Sequence, residues 1–173
     1  MQRRHLAEAV ARHLDGDPGR AQDDAEASYG CTRLPEDGEI DWSAPVSAID
    51  RLVRALGPPY PGAFTWLDGR RLLVHLAGPV QDAPRFEGRV PGRVVAVSTD
   101  RGHVDVLTGD GVLRLHQVEA DGTGQVAAAT LVRSVKTTLG LRTADLLRRI
   151  GELEARLAAL EAATGNRAGG GAL

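Results

Sequence analysis

The sequence predicts a mainly β fold with flanking helices, a small antiparallel barrel followed by a separate C-terminal helix. Three observations predict it. Between residues 63 and 118, short aliphatic and β-branched runs alternate with Gly-containing turns at close intervals, which favours a small barrel or sandwich. Ahead of them, residues 47–56 carry apolar side chains at helical spacing. Behind them, Leu146, Ile150, Leu153, Leu157 and Leu160 repeat at intervals of 4, 3, 4 and 3, which is a heptad seam.

Each element has its own justification. Leu6, Ala9, Val10, His13 and Leu14 predict a leading helix, ended by Asp15-Gly16-Asp17-Pro18-Gly19. Residues 20–42 are polar and acidic, turn at Pro35-Glu36-Asp37-Gly38, and read as a linker. Ser47 is placed to cap the next helix, with Asp50 in its first turn. Ile49, Leu52, Val53 and Leu56 fall on one face of it, which leaves Arg51 and Arg54 on the solvent side. Gly57-Pro58-Pro59 stops this helix, because proline lacks the amide donor and restrains the residue before it.

Pro61-Gly62 then turns the chain into a strand over 63–67, with Phe64 and Trp66 on one face. A turn at Asp68-Gly69 pairs it with a strand over 72–76. Residues 78–89 are rich in proline and charge and form a loop. Strands over 93–98, 103–107 and 112–118 follow, joined at Asp100-Arg101-Gly102 and Gly109-Asp110-Gly111. Residues 123–130 fit neither period. Thr143 is placed to cap the last helix, and Gly165 to end it in a flexible tail.

Composition sets the bounds. Hydrophobic residues are 42% of the 173, enough for one folded core, but aromatic residues are 3%, so Val, Leu and Ala must fill it. The formal net charge of −2 gives no global nucleic-acid signal. It is unevenly spread: residues 1–42 hold 5 basic and 10 acidic residues, whereas 43–140 hold 11 and 9. A weakly positive middle permits phosphate contacts. Cys31 is the single cysteine, so no intrachain disulfide forms, which suits a reducing cytoplasm. No apolar run approaches the roughly 18 residues of a membrane span.

Several stretches also carry a resemblance. "IDWS" at 40–43, the helix ending "RAL" at 54–56, "YPGAFT" at 60–65 and "LDGRRL" at 67–72 stand in a distinctive order and spacing. Over about residues 34–139 the chain resembles the C-terminal domain of methionyl-tRNA formyltransferases and their relatives. The resemblance implies an oligonucleotide-binding-like barrel over 43–140, with a short helix near 127–129. By the same resemblance, residues 1–42 are the terminal helix and linker of a formyltransferase catalytic domain. Residues 141–173 form a coiled-coil-like helix and tail that the resemblance does not reach.

Catalysis in that family is implied to use an Asn-His-Asp constellation, its His in an "HxSLLP"-type motif, in a domain that binds 10-formyltetrahydrofolate. No stretch of 1–173 matches. No catalytic residue and no cofactor site are therefore expected in this chain. His5 and His13 lie on the leading helix, while His75, His103 and His116 fall in three different strands. Clustered metal ligands of the HxxxH or CxxC kind are missing, so no metal site is expected. Cys31, alone in a polar linker, is a poor nucleophile candidate.

Nucleic-acid binding is the serious candidate. The family's domain helps to grip the tRNA backbone. Arg85, Arg89 and Arg93 line the loop entering a strand, and Arg133 and Lys136 sit near the barrel's end, each able to neutralise a phosphate. The competing reading is solvated surface charge, offset by Asp82, Glu87 and Asp100. Phe64, Trp66 and Phe86 are few and suit a core, so binding is expected to follow the backbone and not stacked bases. For the seam, the alternatives are a homodimer through Leu146, Ile150, Leu153, Leu157 and Leu160, or packing on the chain's own barrel.

The expected function is a non-catalytic accessory domain that assists tRNA or acceptor binding for formyl transfer in translation initiation. The alternatives are a stand-alone dimerisation or protein-interaction module, or an accessory domain of an amino-sugar or other small-amine N-formyltransferase. The purified chain is expected to leave 10-formyltetrahydrofolate unconsumed with methionyl-tRNA or an amino sugar present. A spectrophotometric assay of folate turnover checks this.

Overall fold

The computed structural model describes residues 2–19, 21 and 23–168. The chain divides between Arg33 and Leu34 into two compact units. In the first, helix α1 (Gln2–Leu14) exposes Leu6, Val10 and Leu14. It stops where the Asp17 carboxylate accepts from Arg12 Nε at 2.7 Å and from the Gly19 amide at 2.9 Å. The Asp23 carboxylate then caps a single 3-10 turn, Asp24–Glu26, through the Ala25 amide.

The second unit holds helix α2 (Val46–Ala55), strands β1 (Ala63–Leu67), β2 (Arg70–Pro79), β3 (Val94–Ser98), β4 (His103–Leu107), β5 (Val112–Ala120) and β6 (Val126–Ala127), then α3 (Ala128–Leu131) and α4 (Thr143–Ala168). The strands form one antiparallel sheet in the order β1-β2-β5-β4-β3, with β6 pairing β5. The fold class expected from the sequence is therefore present. Strand β6 is the addition, because two residues are too few to show a period.

The sheet is open, with β1 and β3 at its ends. Residues 137–140 strap those ends together. The Gly140 amide donates to the Trp66 carbonyl at 2.9 Å, the Leu139 amide to the Gly92 carbonyl at 2.8 Å, and the Val94 amide to the Thr137 carbonyl at 3.0 Å. The Ile40 amide also donates to the Phe64 carbonyl, at 2.7 Å. Uncovered, such edges would offer free backbone groups to other chains.

Leu72, Val74, Val94, Val104, Val106, Leu113, Leu115 and Val118 fill the inner face, joined by Ile49 and Val53 of α2 and by Ala128 of α3. The core is mainly aliphatic, as the composition requires. Among the described residues, Trp42 and Phe64 are the buried aromatics, and Trp42 belongs to that core cluster. Trp42 also carries a polar bond into the core. It is 5% exposed, and its indole N–H donates to the hydroxyl of the fully buried Thr65 at 2.9 Å.

Two expected caps are replaced. Helix α2 starts at Val46, one residue before Ser47, and Pro45 occupies the cap position with no side-chain bond to give. The missing partner comes from the β4–β5 turn: the Val46 amide donates to Asp110 Oδ1 at 2.7 Å. A carboxylate there also suits the positive end of the helix dipole. Gly109 in the same turn donates its amide to the Ala44 carbonyl at 3.1 Å. A Cβ at Gly109 would collide with the Ser43 carbonyl. Helix α4 begins at Thr143 itself, and the amides of Asp145 and Leu146 both donate to the Arg142 carbonyl, so Arg142 holds the cap position.

Helix α4 also runs past Gly165 to Ala168, beyond its expected stop. The flexible tail expected after it, residues 169–173, lies outside the described residues. Every described side chain from 143 to 161 is exposed, so the seam does not pack on the chain's own sheet.

Two substitutions test these joints. Trp42→Phe strands a fully buried hydroxyl and is expected to lower unfolding free energy in urea by about 1–3 kcal/mol. The double variant Trp42→Phe/Thr65→Val is expected to be less destabilised than the sum of the two single changes. Gly109→Ala is expected to lower the melting temperature, whereas Gly69→Ala, with open space at its Cβ, costs only the strain of a positive φ.

Candidate nucleic-acid interface

The five cations singled out from the sequence fall into two groups. Arg89 and Arg93 are committed to the fold. Arg89 Nη1 donates to the carbonyls of Thr108 and Gly111, both at 3.3 Å, and so braces the β4–β5 turn that receives α2. Arg93 Nε donates to Thr138 Oγ1 at 2.8 Å, beside the antiparallel bridge between the same two residues. Both are partly buried. Neither offers its full guanidinium to a phosphate.

Arg85, Arg133 and Lys136 are exposed. Arg85 Nε lies 3.0 Å from Glu87 Oε1, a fully solvated pair that contributes little to stability. Arg133 Nε donates to the Thr130 carbonyl at 2.9 Å, which fixes its direction where α3 ends. Lys136 follows in a turn closed by the Thr137 amide on the Ser134 carbonyl at 3.1 Å. Arg133 and Lys136 therefore lie on the segment that leads into the strap at 137–140. Phe64 is buried, while Trp66 and Phe86 are half-buried, so no row of exposed rings is available for base stacking.

An open cleft of about 520 Å³ lies beside the strap, lined by Glu39, Asp41, Trp42, Thr138, Gly140 and Arg142 among others. Its carboxylates are engaged. Glu39 Oε1 accepts from the Trp66 indole at 2.9 Å, and Asp41 Oδ1 accepts from the Ser43 hydroxyl and amide at 2.6 and 2.9 Å. Those two bonds, the hydroxyl's first, hold the Asp41 carboxyl below its ordinary pKa. No local pattern of residues marks this cleft, because its walls come from three distant segments.

A second polar group lies across β4 and β5. Arg114 grips Asp105 through two bonds of 2.7 and 2.8 Å, and the Asp105 carboxylate raises the arginine pKa. His103 is buried, and its ring centroid lies 6.2 Å from that of the exposed His116. His75 Nε2 lies 2.9 Å from Glu119 Oε2 across the β2–β5 pair. Loss of water around its ring lowers the His116 pKa from 6.5, as do the charges of His103 and Arg114, against the opposing Asp105. Among the described residues no three potential metal ligands cluster.

Residues 34–136 match the family described as the formyl transferase C-terminal domain. The chain belongs to that family. The match begins at Leu34, where the second compact unit begins, and ends at Lys136, before α4. A methionyl-tRNA formyltransferase of Marinobacter nauticus is 34% identical over 135 residues, which is 78% of this chain and 42% of that protein. The chain thus spans less than half of that relative's length. Among solved structures, HypX from Aquifex aeolicus in complex with tetrahydrofolic acid overlaps with a TM-score of 0.47 at 22% identity, covering 72% of this chain and 21% of HypX. A variant of the same protein gives 0.49 at 21% identity, covering 75% and 23%. No described helix is long and apolar enough to cross a membrane.

The "IDWS" residues, which help to carry the family resemblance, are structural in this chain. Ile40 is buried, Asp41 makes the turn, Trp42 enters the core and Ser43 abuts Gly109.

The lowered His116 pKa fixes the sign of a pH effect. Below 6.5 the unfolded chain binds more protons at this position than the folded one, so stability falls as pH falls through that range. His116→Gln is expected to flatten the loss. Urea unfolding on either side of pH 6.5 measures it.

Proposed function

We propose that this chain is the non-catalytic accessory domain of a methionyl-tRNA formyltransferase-like protein. In this reading it works in the cytoplasm and assists tRNA or acceptor binding while formyl passes from 10-formyltetrahydrofolate to an amine. The observation that carries the reading is the family membership of residues 34–136, with a methionyl-tRNA formyltransferase among the relatives. The exposed Arg133 and Lys136, held beside the strap, supply the chemistry for backbone phosphates. An amino sugar or other small amine as the acceptor would leave those two cations without a role.

A second reading is favoured by one observation, the exposed apolar seam of α4. In it the chain is a self-association or protein-interaction module.

Filter binding of tRNA against salt separates the two. With about two or three phosphate contacts, from Arg133, Lys136 and Arg85, log K is expected to fall against log salt with a slope of about −2 to −3. Arg133→Ala/Lys136→Ala is expected to reduce that slope by about 2, one for each lost phosphate contact. Binding indifferent to salt, or a slope unchanged in the double variant, would overturn the interface. Arg89→Ala and Arg93→Ala are poor probes, since each also removes a bond that holds the fold.

A further inference from the structure

We infer that α4 pairs in parallel with α4 of a second copy of this chain, so that both sheets emerge from the same end of a two-stranded coiled coil. The inference rests on the self-association reading above and adds the direction and register of pairing. Helix α4 spans 26 residues. Its described side chains are all exposed, with Leu146 at 45%, Ile150 at 51%, Leu153 at 49% and Leu157 at 58%. A helix without tertiary packing is marginal in water, and Gly151 weakens it further. A covering partner would supply what the chain's own sheet does not.

The occupant is named by charge. With Ile150 and Leu157 at a positions, Leu146, Leu153 and Leu160 fall at d, Arg149 and Arg156 at g, and Glu154 and Glu161 at e. In a parallel pair each g faces the e five residues on in its partner. Arg149 then meets Glu154 of the second copy and Arg156 meets Glu161, so both contacts are opposite in sign. In an antiparallel pair g faces g and e faces e, which sets arginine against arginine and glutamate against glutamate. The sequence thus complements itself in one direction and repels itself in the other.

The opposite flank agrees. Its ion pair, Arg148 with Asp145 at 3.2 Å, runs along one helix on the solvated side, whereas Arg149 at g bonds Glu152 of its own helix at 3.1 Å and exchanges that partner for Glu154 of the second copy on pairing. Of the two a positions, Ile150 is β-branched over leucines at d, which favours two strands. Because α4 starts three residues after Gly140, parallel pairing brings the two straps to one end.

Sedimentation equilibrium of the full chain at micromolar concentration is expected to give twice the 18.3 kDa chain mass. Leu153→Lys is expected to weaken association at least about tenfold while tryptophan fluorescence reports an intact sheet. Direction is read from Cys31→Ser/Leu146→Cys, which is expected to form an interchain disulfide on mild oxidation. In an antiparallel pair each a residue faces a d, so Leu146 would face Leu157 and the two cysteines would lie about 16 Å apart along the axis. A dimer that does not cross-link would overturn the parallel register and leave self-association standing. A monomer, or a dimer indifferent to Leu153→Lys, would overturn the seam as the contact and the second reading with it.

Discussion

Trp42 is where three distant parts of the chain meet. Its indole bonds Thr65 on β1, and its ring lies against the positions of Gly92, just before β3, and Gly140, at the end of the strap. A Cβ at Gly92 would run into the Leu139 carbonyl and crowd the tryptophan ring, whereas Gly140 is required by its positive φ of 100°. The open sheet depends on this joint, because no strand pairs its two ends. A large ring fits where two backbones approach closely only if the neighbours carry no side chain. That constraint ties a tryptophan to a glycine 50 residues away in sequence.

The joint also explains what the prominent residues do. A conspicuous motif invites a functional reading, but "IDWS" is spent on a backbone bond to β1, a turn, the core ring and the close approach to Gly109. Arg89 and Arg93 are drawn into the same framework because buried carbonyls and a hydroxyl there need donors. What remains for a partner is at the margins: Arg133 and Lys136 beside the strap, and the seam of α4.

Helix α4 obeys different physics from the sheet. The sheet buries its aliphatic face within one chain, and each buried Val or Leu there contributes about 1.5–3 kcal/mol. The leucines of α4 remain half in water. Two regimes coexist in one compact unit, one satisfied by its own chain and one not.

Elements that depend on near neighbours are legible in the residues alone. Alternation located β1 to β5, helical spacing located α2 and the seam, and Gly-containing turns located the hairpins, since each is a local pattern of period or backbone freedom. The family was legible too, because its signature lies in order and spacing. The rest takes shape through contacts between distant segments. Ser47 had the right chemistry to cap α2, yet the Val46 amide is met by Asp110, 64 residues beyond Val46, because the β4–β5 turn is brought to that helix end. Arg85, Arg89, Arg93, Arg133 and Lys136 were alike as residues, and their separation into buried braces and exposed cations follows from which carbonyls folding placed beside them. The cleft and the strap were illegible for the same physical reason: they are made where segments distant in sequence meet, and no local period records that meeting.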